Sequence, residues 1–206
     1  MKNTIITINR ECGSGGGEIA RLLGETLGLK VYGRAMLEAV AHEFGLSLEE
    51  VDRIKAQKNT WWSDFCRFYQ QFGAASHVVG TSSEATPTSV YYAEARLLRD
   101  LAGQESCIVV GRAGFHVFRD TPNAIHLLII ADRDARIARI AKKQNLSVDE
   151  AAQVVDEVDR ARDTFVKTVA GTSRYDARNY FACINVTGLE PKGVVGFLAE
   201  QIRRKQ

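Results

Sequence analysis

The chain has 206 residues, 45% hydrophobic and 25% charged, a balance that supports one folded core and excludes wholesale disorder and fibrous or collagen-like structure. Twenty-seven basic against 25 acidic side chains leave a formal charge of +2. That falls well short of the basic excess a dedicated nucleic-acid binder needs, so any basic site is local. Three prolines beside 17 glycines direct attention to where the glycines stand.

The chain opens with Met1-Lys2-Asn3 and runs straight into a β-branched strand, Thr4–Ile8, too short and wrongly flanked for a signal peptide. No apolar run approaches the ~20 residues of a membrane span, so the expectation is a cytoplasmic protein with no membrane partner. Cys12, Cys66, Cys107 and Cys183 are widely spaced, with no C-x-x-C pair, and read as small buried or half-buried filler rather than metal ligands.

After the first strand comes a glycine cluster, then Ile19, Ala20, Leu22, Leu23 and Leu27 at helical spacing, stopped by Gly28. Leu29–Tyr32 is a short second strand. Helical patterns cover 34–44 and 47–57, the latter opened by the capping box Ser47-Leu48-Glu49-Glu50. An aromatic-rich piece over 61–72 reads as core or subunit contact, which leaves a homo-oligomer open, and 81–87 is polar and loop-like. A helix over 89–103 leads into the strand Cys107–Val110, and a further strand spans Ala124–Ala131. Helices follow over 133–144 and, capped by Ser147-Val148-Asp149-Glu150, to about residue 170. A last strand, Phe181–Val186, and a helix over Gly193–Arg204 close the series. Ile- and Val-rich strands alternating with helices predict an α/β fold with a parallel sheet covered on both faces.

Gly13-Ser14-Gly15-Gly16-Gly17 places four glycines in five residues between the first strand and the first helix, where bare amides and a helix N-terminus bind phosphate. A dinucleotide fingerprint started at Gly13 fails because it needs glycine where Glu18 stands. The consensus G-x-x-x-x-G-K-[ST] also departs: Arg10 falls on its first glycine, Gly16 on its lysine, and Glu18 near its magnesium-binding hydroxyl. Arg10 or Arg112 is then the candidate replacement charge and Glu18 the candidate carboxylate toward Mg2+. Arg133, Arg136 and Arg139 lie three apart and are expected along one drifting helix face, with Ile137, Ile140 and Ala141 toward the core. Arg160 and Arg162 follow, with Lys167, Arg174 and Arg178 beyond, and Asp156, Glu157, Asp159 and Asp163 interleaved as pairing acids. Arg112, at the C-terminal end of a strand, stands where ligands of open α/β sheets bind.

Ile6 to Ala20, with Gly13-Ser14-Gly15-Gly16-Gly17-Glu18-Ile19 at its centre, resembles the opening of the cytidylate kinase-like family, whose loops read GSGG-x-E-I. Val109-Val110-Gly111-Arg112 is similar to that family's V-x-D-G-R-D segment, with Val110 and Ala113 in place of the aspartates. Phe118 to Ala124 is similar to its F-P-D-A-P turn, Asp159-Arg160-Ala161-Arg162 to its D-R-x-R segment, and Asn185-Val186-Thr187-Gly188-Leu189 to D-T-T-G-L. The resemblance implies a three-layer P-loop NTPase fold over 1–206: a five-stranded parallel sheet, a helical substrate-binding insert at 34–88 and a helical lid at 133–178. It further implies ATP-dependent phosphoryl transfer, with Mg2+, to a nucleoside monophosphate, CMP or dCMP first. Gly13, Ser14, Gly15, Gly16, Gly17, Glu18 and Thr187 would then hold the nucleotide donor and Arg112 the acceptor phosphate. Arg10, Arg136, Arg139, Arg160 and Arg162 would carry catalysis, with Glu18 toward the metal. Two alternatives stand beside it: a nucleotide- or anion-binding module without catalysis, and a kinase for a non-nucleotide small molecule.

Overall fold

The computed structural model describes residues 3–33, 95–96, 98–100 and 102–205. The chain divides into two compact units, Met1–Tyr32 with Arg99–Gln206, and Gly33–Leu98; the sheet and the helices packed on it belong to the first. The expected helices at 34–44 and 47–57, the aromatic piece at 61–72, the polar segment at 81–87 and most of the insert lie outside the described residues. So does part of the helix expected at 89–103.

Five strands form one parallel sheet: β1 (Ile5–Arg10), β2 (Lys30–Tyr32), β3 (Cys107–Val110), β4 (Ala124–Ile130) and β5 (Ala182–Asn185), in the order β2-β3-β1-β4-β5. β1 is central, pairing Ile5 with both Cys107 and Ala124. It runs two residues beyond the expected end because Asn9 and Arg10 stay in register with Leu128 and Ile129. The order steps away from β1 first on one side and then on the other, which opens a crevice at its C-terminal end.

Alternation sorts the strand residues onto two faces. Ile6, Ile8, Ile125, Leu127 and Ile129 share one core with α1 (Gly16–Leu27) and α5 (Pro191–Lys205), through Ile19, Leu23, Val195, Leu198 and Ile202. Fully burying each such side chain stabilises the fold by about 1.5–3 kcal/mol. α1 lies so close to the sheet that a Cβ at Gly24 would meet Val31 Cγ2 at 2.5 Å. It ends as expected at Gly28, whose left-handed backbone sends its N–H to Gly24 O. On the other face Gly114 of the short helix α2 (Gly114–Val117) packs on Thr7 and Val109. α2 was not expected. It follows a turn in which Gly111, Arg112 and Ala113 all have positive φ (80°, 58° and 47°), a conformation that sequence patterns disfavour for arginine and alanine. α5 begins at Pro191, two residues early, since proline suits a first helical turn.

α3 (Arg133–Gln144) and α4 (Val148–Ala170) form a helical pair. The capping box is present: Ser147 Oγ accepts the Glu150 N–H while the Glu150 carboxylate accepts the Ser147 N–H. Ile137 and Ile140 do turn inward, but into a small core of their own with Ala151, Val155 and Cys12 of the glycine loop. Cys12 and Cys107 are buried, whereas Cys183 is exposed on β5, against the expectation that every thiol is at least half-buried. No helix among the described residues is long and apolar enough to cross a membrane.

Candidate functional site

The loop at the C-terminal end of β1 is shaped by glycines in the left-handed backbone region, where a side chain is strained. Gly13 and Gly15 have φ of +77° and +84°, and a Cβ on Gly13 would lie 2.7 Å from the Arg136 carbonyl oxygen. Helix α1 starts inside the cluster, so Gly16 and Gly17 belong to its first turn. The buried Ser14 hydroxyl folds back, donating to Glu11 O at 3.0 Å and accepting the Gly16 N–H at 3.4 Å, so this side chain shapes the loop from within. Among the described residues the amides of Gly13, Gly15 and Gly17 meet no acceptor. Together with the α1 N-terminus they form a concave anion cradle of the kind that fits nucleotide phosphates, and a Cβ at Gly13 would push the loop off the α3 backbone behind it.

Positive charge gathers around this cradle. Arg139 Nη1 donates to Gly13 O at 2.5 Å and Arg162 Nη1 to Arg10 O at 3.1 Å. Burial, and then the guanidiniums of Arg162, Arg112 and Arg174, push Arg10 down to about 9. Buried Arg112 sits on the strained β3–α2 turn beside it. A cluster of like charges held in this way favours an anion among them.

Beneath the loop lies a buried ionic knot centred on Asp159. Its Oδ1 accepts the Cys12 N–H at 2.9 Å and Arg174 Nη2 at 3.0 Å; its Oδ2 meets Arg136 Nη1 at 2.5 Å; and Arg162 stands 3.7 Å away. Arg136 also donates to Ala131 O and Cys12 O, so its fork is spent on fixing the loop. Arg174 Nε lies 2.6 Å from Asp163 Oδ1 in an ion contact without hydrogen-bond alignment. Glu11 accepts the Ala131 N–H, approaches Arg136 at 3.5 Å and accepts the Tyr175 hydroxyl at 3.3 Å. Tyr180, which burial pushes up to about 12, accepts from Asn9 and donates to Arg174 O.

The expected single arginine face on α3 is therefore divided three ways. Arg136 is buried, Arg139 reaches Gly13, and Arg133 pairs with Asp156 in solvent. The cause is the partner each meets, which helical spacing alone does not specify. On α4, Arg162 turns to the site while Arg160, two residues away, is exposed and is not brought to the loop. Thr187 accepts the Asp132 N–H at 2.7 Å, tying the end of β5 to the start of α3, with Asn185 bonding Asp132 as well. Glu18 is exposed on the first turn of α1. No group of three metal-ligating side chains occurs among the described residues. Mg2+ normally keeps several waters and takes one or two carboxylates beside phosphate oxygens, and Glu18 at the cradle fits that smaller demand. Sequence reasoning did not pick out Glu11, Tyr175, Tyr180 or Asn9, and it read Asp159 only as a local pairing acid.

A model of the cytidylate kinase-like family matches residues 5–188. A cytidylate kinase from Thermoplasma acidophilum is 22% identical over 121 residues, 58% of this chain, and the match spans 64% of that protein's length. The crystal structure of an uncharacterized protein from Eubacterium ventriosum is similar throughout, with TM-score 0.71, 20% identity and coverage of 98% of this chain and 99% of that one. Shikimate kinase from Acinetobacter baumannii in complex with shikimate superposes with TM-score 0.54 at 10% identity, covering 99% and 95%. At these identities the solved structures speak for the fold, which is that of the P-loop kinases.

Proposed function

The chain belongs to the cytidylate kinase-like family, and on that premise we propose that it moves the γ-phosphoryl group of ATP, with Mg2+, to a nucleoside monophosphate, CMP or dCMP first. The observation that carries this is the meeting of a bare-amide loop with a cluster of guanidiniums at the crevice above β1. Phosphoryl transfer asks little covalent chemistry of a protein; it asks for positioning and for charge where the transferred oxygens lie. The Gly13–Gly17 amides and the α1 N-terminus would hold the donor phosphates. Arg10, Arg139 and Arg162 would neutralise the transferring group, and Arg112 would bind the acceptor phosphate. Arg136 would serve by fixing the Cys12 carbonyl from behind. Glu18 would face the metal, which supplies charge neutralisation on the donor phosphates when bound, and Thr187 would border the donor nucleotide. Buried unpaired thiols at Cys12 and Cys107 suit a reducing, cytoplasmic compartment.

A second reading, binding without transfer, draws on one observation: glycine stands at position 16 where the consensus loop carries lysine. ADP formation from ATP and Mg2+ is to be measured across the nucleoside monophosphates, with sugar and amino-alcohol acceptors in the same panel and an ATP titration beside it. Turnover greatest with CMP or dCMP supports the proposal. Saturable ATP binding with no acceptor turned over supports the module, and turnover confined to a non-nucleotide acceptor overturns the nucleotide assignment.

A further inference from the structure

Position 16 is closed to side chains. A Cβ built there would meet Arg10 Cβ at 2.6 Å, Arg10 Cγ at 3.1 Å and Ile129 Cβ at 3.4 Å. The Cβ and Cγ of Arg10 are no flexible tip. Arg10 is paired to Ile129 in the β1–β4 ladder, and its carbonyl accepts Arg162 and Arg174. The contact is symmetric, so only one of positions 10 and 16 carries a side chain at a time. In the consensus G-x-x-x-x-G-K-[ST] loop the first of these positions is glycine and the second lysine. Here the first is arginine and the second glycine.

We infer that the phosphate-loop cation has been exchanged across this one contact: Arg10, from the end of β1, supplies the donor phosphates with the charge that the consensus loop supplies from the first turn of its helix. Gly16 is the condition for the exchange. The inference rests on the donor-phosphate reading above and deepens it. A second glycine serves the same side chain, because a Cβ at Gly111 would overlap Arg10 Nη1 and lie 3.2 Å from Cζ. Gly16 thus clears the stem and Gly111 the guanidinium. Among the described residues no carboxylate pairs with that guanidinium, and its charged neighbours Arg162, Arg112 and Arg174 are cations. An anion relieves their repulsion.

Titration calorimetry with MgATP, with thermal melting alongside, tests the exchange. Arg10→Ala keeps the Cβ and removes the charge; affinity is expected to fall roughly 10- to 100-fold while the melting temperature holds or rises. Gly16→Lys with Arg10 in place is expected to lose both melting temperature and affinity. Adding Arg10→Gly to it is expected to restore both, leaving affinity within about tenfold of the parent. Arg10→Ala binding MgATP as tightly as the parent overturns the inference, as does a double variant no better than Gly16→Lys alone. A parent protein that binds no MgATP takes down the donor reading and the exchange together.

Discussion

Between the sheet and helices α1 and α5, burial is aliphatic: Leu127, Leu198 and Ile202 are 0% exposed and sit within one hydrocarbon core. Between the α3–α4 pair and the glycine loop, beside the small apolar core around Cys12, it is ionic, with Arg174 1%, Arg136 8% and Asp159 9% exposed. The first kind of contact gains free energy in proportion to area and is indifferent to direction. The second gains little net stability, since desolvation offsets attraction, but it fixes angles and distances. The chain uses area where it needs cohesion and charge where it needs the Cys12 and Gly13 carbonyls held in one place.

That contrast can be broken first at its ionic end. Asp159→Ala leaves Arg136 and Arg174 buried without their shared carboxylate and is expected to cost about 3–5 kcal/mol, read from urea denaturation. It should also abolish MgATP binding in the fraction that remains folded. Leu127→Ala is expected to cost about 2–5 kcal/mol, while the folded fraction binds MgATP with parental affinity. Equal losses of binding in the two variants would erase the distinction.

A half-buried polar pair inside the sheet sharpens the comparison. His126 Nδ1 and Thr7 Oγ1 are hydrogen-bonded at 2.8 Å across β1 and β4, and burial, with Lys205 second, pushes His126 down to about 4. Below its ordinary value near 6.5 the unfolded chain takes up a proton that the folded chain refuses, so stability falls as pH drops from 6.5 to 4 and levels off beneath. With a discount for partial exposure the loss is about 2 kcal/mol. Urea midpoints at several pH values should show it, and His126→Asn should flatten that part of the profile. The smallest effect belongs to the outer end of the helical pair: Ser147→Ala removes one half of the capping box and is expected to cost about 1 kcal/mol, seen as a lower melting temperature with unchanged MgATP binding.

What could be read from the sequence was what is encoded locally. The β-branched run before Gly13, the stop at Gly28 and the Ser147–Glu150 box each announce themselves within a few residues, and each is present. The ionic knot was not legible because its parts are far apart in the chain: an aspartate in mid-helix at 159 looks like any acid near Arg162, and nothing local says that it receives the Cys12 N–H. Glu11 was hidden for the same reason, its partners being Ala131, Arg136 and Tyr175. Arg160 and Arg162 looked equivalent in composition, and only the rotation of α4 separates an exposed side chain from one that bonds the end of β1. The β3–α2 turn escaped because propensity argues against left-handed arginine and alanine, and surrounding structure overrides it there.

The central place of β1 also sets an order in time. Ile5 is made well before Cys107 and Ala124, its neighbours in the sheet. A parallel strand cannot pair with its own continuation through a tight turn, so the strand that carries the glycine loop has no sheet partner until β3 has emerged and lacks its second until β4 has. The loop whose sequence is the most readable in the chain is accordingly among the last parts to acquire its shape, and a growing chain exposes Ile5, Ile6 and Ile8 to chaperones or to aggregation throughout that interval.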